Sequence, residues 1–306
     1  MKLSFLHKLF RSAKEPLPPP DILFERGRIG VRPDRETSSE PRVGKSFLKA
    51  ISSRTPAHIA RRSERFEYPL EGAALNLDLG PMCFVSITGS EVANAYSFDL
   101  RSQVECDDQQ QANALLERLS FTRQGNTFAL KSPPSLEHVR VRTYLDVLMP
   151  PDRPVILTPA YTAVEVSGIA ASVTISATHG RISLFDLTGQ VDVAAHEGGS
   201  IVFVGGRGRA HLSADSIHLK LTEQYYEGII QAMAARAVTV QLPPAFKTGF
   251  EANVARRARF VYRGDLESQL EHRKELRRVV FAYRSKEQPL LQFASRTGTV
   301  AIDTTS

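Results

Sequence analysis

The chain has 306 residues, 42% apolar and 24% charged, with a formal net charge of +6. That length buries a substantial core, and no run approaches the roughly 20 consecutive apolar residues needed to span a bilayer. The charge is uneven: residues 1–66 carry 15 Lys/Arg against 7 Asp/Glu, or +8, which leaves −2 for residues 67–306. Two cysteines, Cys83 and Cys106, lack Cys-x-x-Cys spacing, so neither a zinc site nor a redox pair is signalled.

The first residues, MKLSFLHKLFRSAK, start like a secretory signal. However, His7 and Lys8 interrupt the apolar stretch, and EPLPPP replaces a small-residue cleavage site. At 100° per residue, residues 2–14 form a short amphipathic helix. Leu3, Leu6, Leu9, Phe10 and Ala13 gather on one side, with His7, Lys8, Arg11 and Lys14 on the other. Such a helix suits an anionic membrane surface, with Leu3, Phe5, Leu6, Lys8, Leu9, Phe10 and Arg11 as membrane-contact candidates. The expected location is cytoplasmic, peripheral at the inner membrane face. A Pro-rich spacer closes this segment at residue 20, and residues 21–66 read as a largely irregular linker with a brief helix around Ser46–Ile51.

Order is expected from about residue 67. ALNLDLG (Ala74–Gly80), CFVSITG (Cys83–Gly89) and Tyr96–Val104 alternate apolar and polar residues as strands do. DDQQQANALLERL then reads as a helix: Ala112, Leu115, Leu116 and Leu119 share one face, with Asp107 or Asp108 as N-cap. Strands return at Thr127–Leu130 and His138–Met149.

From Val164 to Leu221 a short phrase recurs. Apolar pairs flank one residue at Val164/Val166, Val173/Ile175, Ile182/Leu184, Val191/Val193, Ile201/Phe203, Ala210/Leu212 and Leu219/Leu221, each nine residues on except for one step of ten. A fixed period combined with alternation is the signature of stacked β-coils, two units to a coil. Gly180, Gly189, Gly198 and Gly208 follow the same step, as corners with φ > 0 would, and the extra Gly199 explains the longer step. A helix is expected over Glu223–Arg236 with Tyr226, Ile229, Ile230 and Met233 inward, followed by strands AVTVQLP and RARFVY. Asp265–Arg278 reads as a charged helix or loop before the closing strands VVFAY and LLQFASRTGTVAI. The fold class is therefore mainly β: a single-domain β-solenoid over residues 67–306, with a few short helices and an irregular basic tail.

VEVSGIAASVTISATHGRISLFDLTGQVDV, ANALLERLSFTRQGNTFAL and LLQFASRTGTVAI resemble the bacterial putative-adhesin family of β-solenoid domains. Its members are built from V-x-V-x-x-x-x-G-x-V units and end on a Thr-x-x-Gly-x-Ile rung, met here as Ser295-Arg296-Thr297-Gly298-Thr299-Val300. The resemblance covers roughly residues 70–303 and implies a right-handed solenoid, with no catalytic residues to carry over.

No constellation for chemistry stands out. GGRGRAHLS (Gly205–Ser213) matches the calcium nonapeptide except that Ala210 replaces the liganding aspartate. His179, His196, His211 and His218 read as scattered surface histidines. Outward positions Glu165, Asp192 and Lys220 form no acidic ladder. VGKS (Val43–Ser46) lacks the phosphate loop's first glycine. The basic stretches ARRSERF and ANVARRARF read as solvated faces, and no nucleic acid is expected. These features point to a non-catalytic scaffold or assembly protein without cofactor or metal. Its expected partners are a protein or its own copies, met through the solenoid ends and edges, and an anionic membrane surface. The alternative is a cell-surface or envelope adhesin-like binding module, and a polysaccharide-acting β-helix enzyme ranks third.

Overall fold

The computed structural model describes residues 58–70, 74–80, 83–131, 139–159, 162–224, 226–256, 258–275, 277–284 and 290–304. The helices expected at residues 2–14 and Ser46–Ile51 lie outside them. The described chain is mainly β: twenty-one strands in one open sheet, with one α-helix and one 3-10 turn.

Order begins earlier than the alternation suggests. β1 (His58–Pro69) lies in part within the segment expected to be irregular. After β2 (Leu75–Leu79) and β3 (Cys83–Gly89), β4 (Ala95–Cys106) returns antiparallel to β1, from His58↔Cys106 to Pro69↔Ala95. β1 hides its strand character because only Ala60 is buried, while Arg61, Arg62 and Arg65 stay exposed. α1 (Gln109–Arg118) forms as read, with the Asp108 side chain accepting from the Gln110 N–H at 2.8 Å. Its Ala112, Leu115 and Leu116 pack on Ala60, Val104 and Cys106. The hairpin β5 (Ser120–Gln124) and β6 (Thr127–Lys131) follows, then β7 (Arg140–Met149) between β3 and β4.

The repeated phrase becomes two parallel ladders that the chain visits in turn. Its strands are β9 (Thr162–Ser167), β10 (Val173–Ala177), β11 (Arg181–Phe185), β12 (Val191–Ala195) and β13 (Ser200–Val204), and β8 (Val155–Pro159), ahead of the phrase as read, joins them. In one ladder Leu77 lies beside Leu157, Leu157 beside Ile175 and Ile175 beside Val193. In the other, Val85, Val164, Ile182 and Ile201 stand in line. Partners are 18 residues apart at Val164↔Ile182 and 19 at Ile182↔Ile201, where Gly199 is added. The aliphatic side chains merge into one core, each fully buried Leu, Ile or Val contributing about 1.5–3 kcal/mol.

β14 (Gly208–Lys220) and β15 (Gly228–Gln241) run through both ladders, with a register shift between Ala214 and Ser216. That shift moves the last repeated pair: Ile201 and Phe203 meet Ile217 and Leu219, not Leu219 and Leu221. The helix expected over Glu223–Arg236 is mostly this strand. Ile230, Ala232 and Ala234 are buried while Met233 is 57% exposed, a period of two. Ladder hydrogen bonds to β14 on one side, and to strands from the chain's end on the other, outweigh the helix propensity of an Ala-rich run.

The remaining strands are β16 (Gly249–Ala255), β17 (Arg259–Arg263), β18 (Glu271–Lys274), β19 (Arg278–Tyr283), β20 (Leu290–Ser295) and β21 (Thr299–Asp303). The charged insertion at Asp265–Arg278 holds the short 3-10 turn Glu267–Gln269 and β18, which pairs antiparallel with β19. Gly180, Gly198 and Gly208 have positive φ as expected of corners, but Gly189 does not. A Cβ at Gly189 would lie 2.1 Å from the Ala171 carbonyl oxygen, so close backbone approach requires that glycine.

Candidate functional site

The histidines form separate contacts, not one site. His179 Nε2 is 3.1 Å from Glu197 Oε2, and His211 Nδ1 is 3.1 Å from Asp192 Oδ1 on the neighbouring strand. His196 is exposed. Desolvation, then Lys220 and Arg181, hold His218 below the usual imidazole range. Among the described residues no group of three or more His, Cys, Asp or Glu is placed to hold a metal. Ala210 is buried in the core, so the nonapeptide-like segment serves as a corner with positive φ at Gly205, Gly206 and Gly208. Burial pushes the Cys83 thiol up to about 12, which makes it an inert core residue. The membrane-contact candidates Leu3, Phe5, Leu6, Lys8, Leu9, Phe10 and Arg11 and the VGKS segment lie outside the described residues.

Charge converges instead on the outward face of β1, β4 and β7, which sequence reading treated as unrelated segments. Antiparallel pairing sets Arg61 opposite Gln103, Ser63 opposite Arg101 and Arg65 opposite Asp99. The next pairing sets Gln103, Arg101 and Asp99 opposite Arg142, Tyr144 and Asp146. Arg101 forms an ion pair with Asp146, and Arg65 Nε lies 3.6 Å from Asp99 Oδ2. Arg142 Nη1 is 3.4 Å from Glu105, a carboxylate only 6% exposed. Removing Arg142 would cost the buried Glu105 carboxylate a cationic neighbour. Gln103 donates to Glu105 at 2.6 Å and accepts from Arg61 Nε at 3.2 Å.

Beside this network Tyr144 stacks on Phe84 of β3, with ring centroids 5.1 Å apart and an interplanar angle of 14°. Arg61, Arg62, Ser63, Arg101, Gln103 and Tyr144 line an open hollow of about 490 Å³. Farther along the face, Ser86 separates Asp146 from Glu165. Desolvation raises the Glu165 carboxyl above its ordinary value, Arg181 opposes the shift, and Asp146 adds to it. The acids are thus interleaved with arginines, and Asp146 is held as an ion pair. The signal missed in the sequence was the alternation of Arg61, Ser63 and Arg65, which becomes meaningful only opposite β4.

The ends of the ladders are charged. β18, Glu-His-Arg-Lys, is exposed throughout and pairs only with β19 among the described strands. β17 exposes Arg259, Val261 and Arg263 and pairs only with β21 among them. In the ANVARRARF stretch, Arg256 and Arg259 are exposed as read, and Arg257 lies outside the described residues.

No family model matches the chain, and no curated protein matches it. Among solved structures it is similar to a putative adhesin from Bacteroides fragilis, at 10% identity and a TM-score of 0.38, over 81% of this chain and 97% of that one. A putative cell adhesion protein from Clostridium sporogenes is similar at 10% identity and a TM-score of 0.28, over 80% of this chain and 100% of that one. A putative lipid binding protein from Parabacteroides distasonis is similar at 8% identity and a TM-score of 0.30, over 80% and 97%.

Proposed function

We propose that this protein is a non-catalytic binding module of the adhesin-like kind, built as a right-handed β-solenoid. Two features support the winding: parallel partners recurring after 18 or 19 residues, and a chain that alternates between two ladders. The right-handed sense follows the rule for parallel crossovers between twisted strands. One observation carries the function. The outward face of β1, β4, β7 and β3 holds ion-paired arginines and a stacked aromatic pair in fixed register beside an open hollow. Side chains locked to a rigid ladder present a preorganised surface, which lowers the ordering cost of recognition.

The scaffold reading, in which copies or partners add strands at the ends, has one observation in its favour: among the described strands one edge of β17 is unpaired, with Val261 exposed. Arg259, Arg263 and the charged β18 count against it, because charged edges resist strand addition. A comparison of Arg101→Glu with Val261→Lys in the full chain separates the two. Binding to envelope material that Arg101→Glu abolishes and Val261→Lys leaves intact supports the module. A concentration-dependent oligomer that only Val261→Lys dissolves supports the scaffold and defeats the proposal.

A further inference from the structure

We infer that the hollow on β1, β4 and β7 binds an acidic saccharide, with the carboxylate gripped by Arg61 and the sugar ring laid against Tyr144. The inference rests on the recognition reading above and names its ligand class.

Charge comes first. The lining contains three guanidinium groups and no carboxylate. Arg62 is matched by Glu64 and Arg101 by Asp146, but the partner of Arg61 is the neutral amide oxygen of Gln103. An amide orients a guanidinium without neutralising it. Gln103 is itself oriented, because its nitrogen donates to Glu105, which Arg142 holds. The chain Arg142–Glu105–Gln103–Arg61 therefore fixes Arg61 through Nε and leaves its terminal nitrogens for a planar anion. A carboxylate matches that fork with two parallel hydrogen bonds.

Shape comes second. Ser63, opposite Arg101, is small and leaves room between β1 and Tyr144. Phe84 braces the far side of the Tyr144 ring, so its other side is turned toward the arginines. The volume of about 490 Å³ lies within the usual range for small-ligand sites, and the open mouth suits one residue within a polymer. Single-stranded nucleic acid is the poorer fit, because it needs successive aromatic platforms and only one ring lines this hollow.

The test is affinity electrophoresis of the full chain through polygalacturonate, with its methyl ester and oligothymidylate as comparison matrices. Polygalacturonate should retard the wild-type chain, less so in high salt, and the uncharged ester should not. Arg61→Ala and Tyr144→Ala should each weaken retention about tenfold, as loss of a charge-assisted or stacking contact does. Arg61→Lys should fall between, and Lys220→Ala on a distant strand should match wild type. Thermal melts establish that each variant is folded. Equal retention of Arg61→Ala, equal retention by the methyl ester, or tighter binding of oligothymidylate overturns the inference. Failure of polygalacturonate alone, with Arg101→Glu still abolishing envelope binding, rejects the ligand class and leaves the recognition reading standing.

Discussion

The strands from Val155 to Lys220 and those from His58 to Met149 build their interiors by different chemistry. The former are mostly five residues long, parallel and almost wholly aliphatic inside. The latter include two antiparallel strands of twelve residues and an aromatic cluster in which Phe98 lies 4.6 Å from Phe128 and 5.1 Å from Phe121. A middle strand finds a copy of itself on each side, so small repeated side chains suffice. Among the described residues the first strands have no preceding copy; bulky rings fill the main core there, and α1 covers a smaller cluster with Ala60, Val104 and Cys106, as terminal units of stacked repeats do. The outward faces differ accordingly. Thr174 and the His211–Asp192 contact stand outward in the middle, whereas Arg65, Arg101 and Arg142 with their acids decorate the beginning.

Four measurements test that contrast. The largest effect is expected from Phe128→Ala, which empties a ring 2% exposed at the centre of the aromatic cluster and should cost about 3–5 kcal/mol in urea unfolding. Ile175→Val, in the repeated middle, should cost only about 0.5–1.5 kcal/mol; a reversal of that order would deny the first strands their closing role. Gly228→Ala comes next, at about 3 kcal/mol, because φ is +147° and the new Cβ would meet the Gly208 carbonyl oxygen at 1.8 Å. A variant as stable as wild type would show that β14 and β15 do not approach so closely.

The third effect depends on pH. His218 is held below its ordinary value in the folded chain, so the unfolded chain binds the proton more readily. Stability should be fully present above the unfolded value of about 6.5 and decline as the pH falls through it. His218→Gln should flatten that decline, and a wild-type urea midpoint unchanged between about pH 7.5 and 5.5 would contradict it. The smallest effect is expected from Met233→Lys, within about 0.5 kcal/mol of wild type, because that side chain faces solvent on a strand. A large loss would restore the inward-facing helix that the sequence suggested.

Much of the core was legible because alternation is local. Val164/Val166 through Ile201/Phe203 declared their inward direction within three residues each, and all ten side chains of those five pairs are buried. α1 was legible for the same reason, its cap and apolar face lying within twelve residues. The run Gly228–Arg236 was not. Ala, Met and Gln favour a helix in isolation, and only neighbours on both sides make them a strand. The candidate site was least legible, since Arg61, Gln103 and Tyr144 belong to three segments without a shared motif.

The amino-acid order by itself determined that this chain is mainly β, where most short strands fall and which side chains they bury. Those properties follow from a two-residue period and from glycine, which act over a few bonds. Tertiary structure alone decided that β1 is a strand, that Ile217 rather than Leu219 completes the row of Ile201, and that Arg61 stands beside Gln103. Each depends on which distant backbone supplies the hydrogen bonds, and a register chosen between strands some forty residues apart leaves no periodic trace in either.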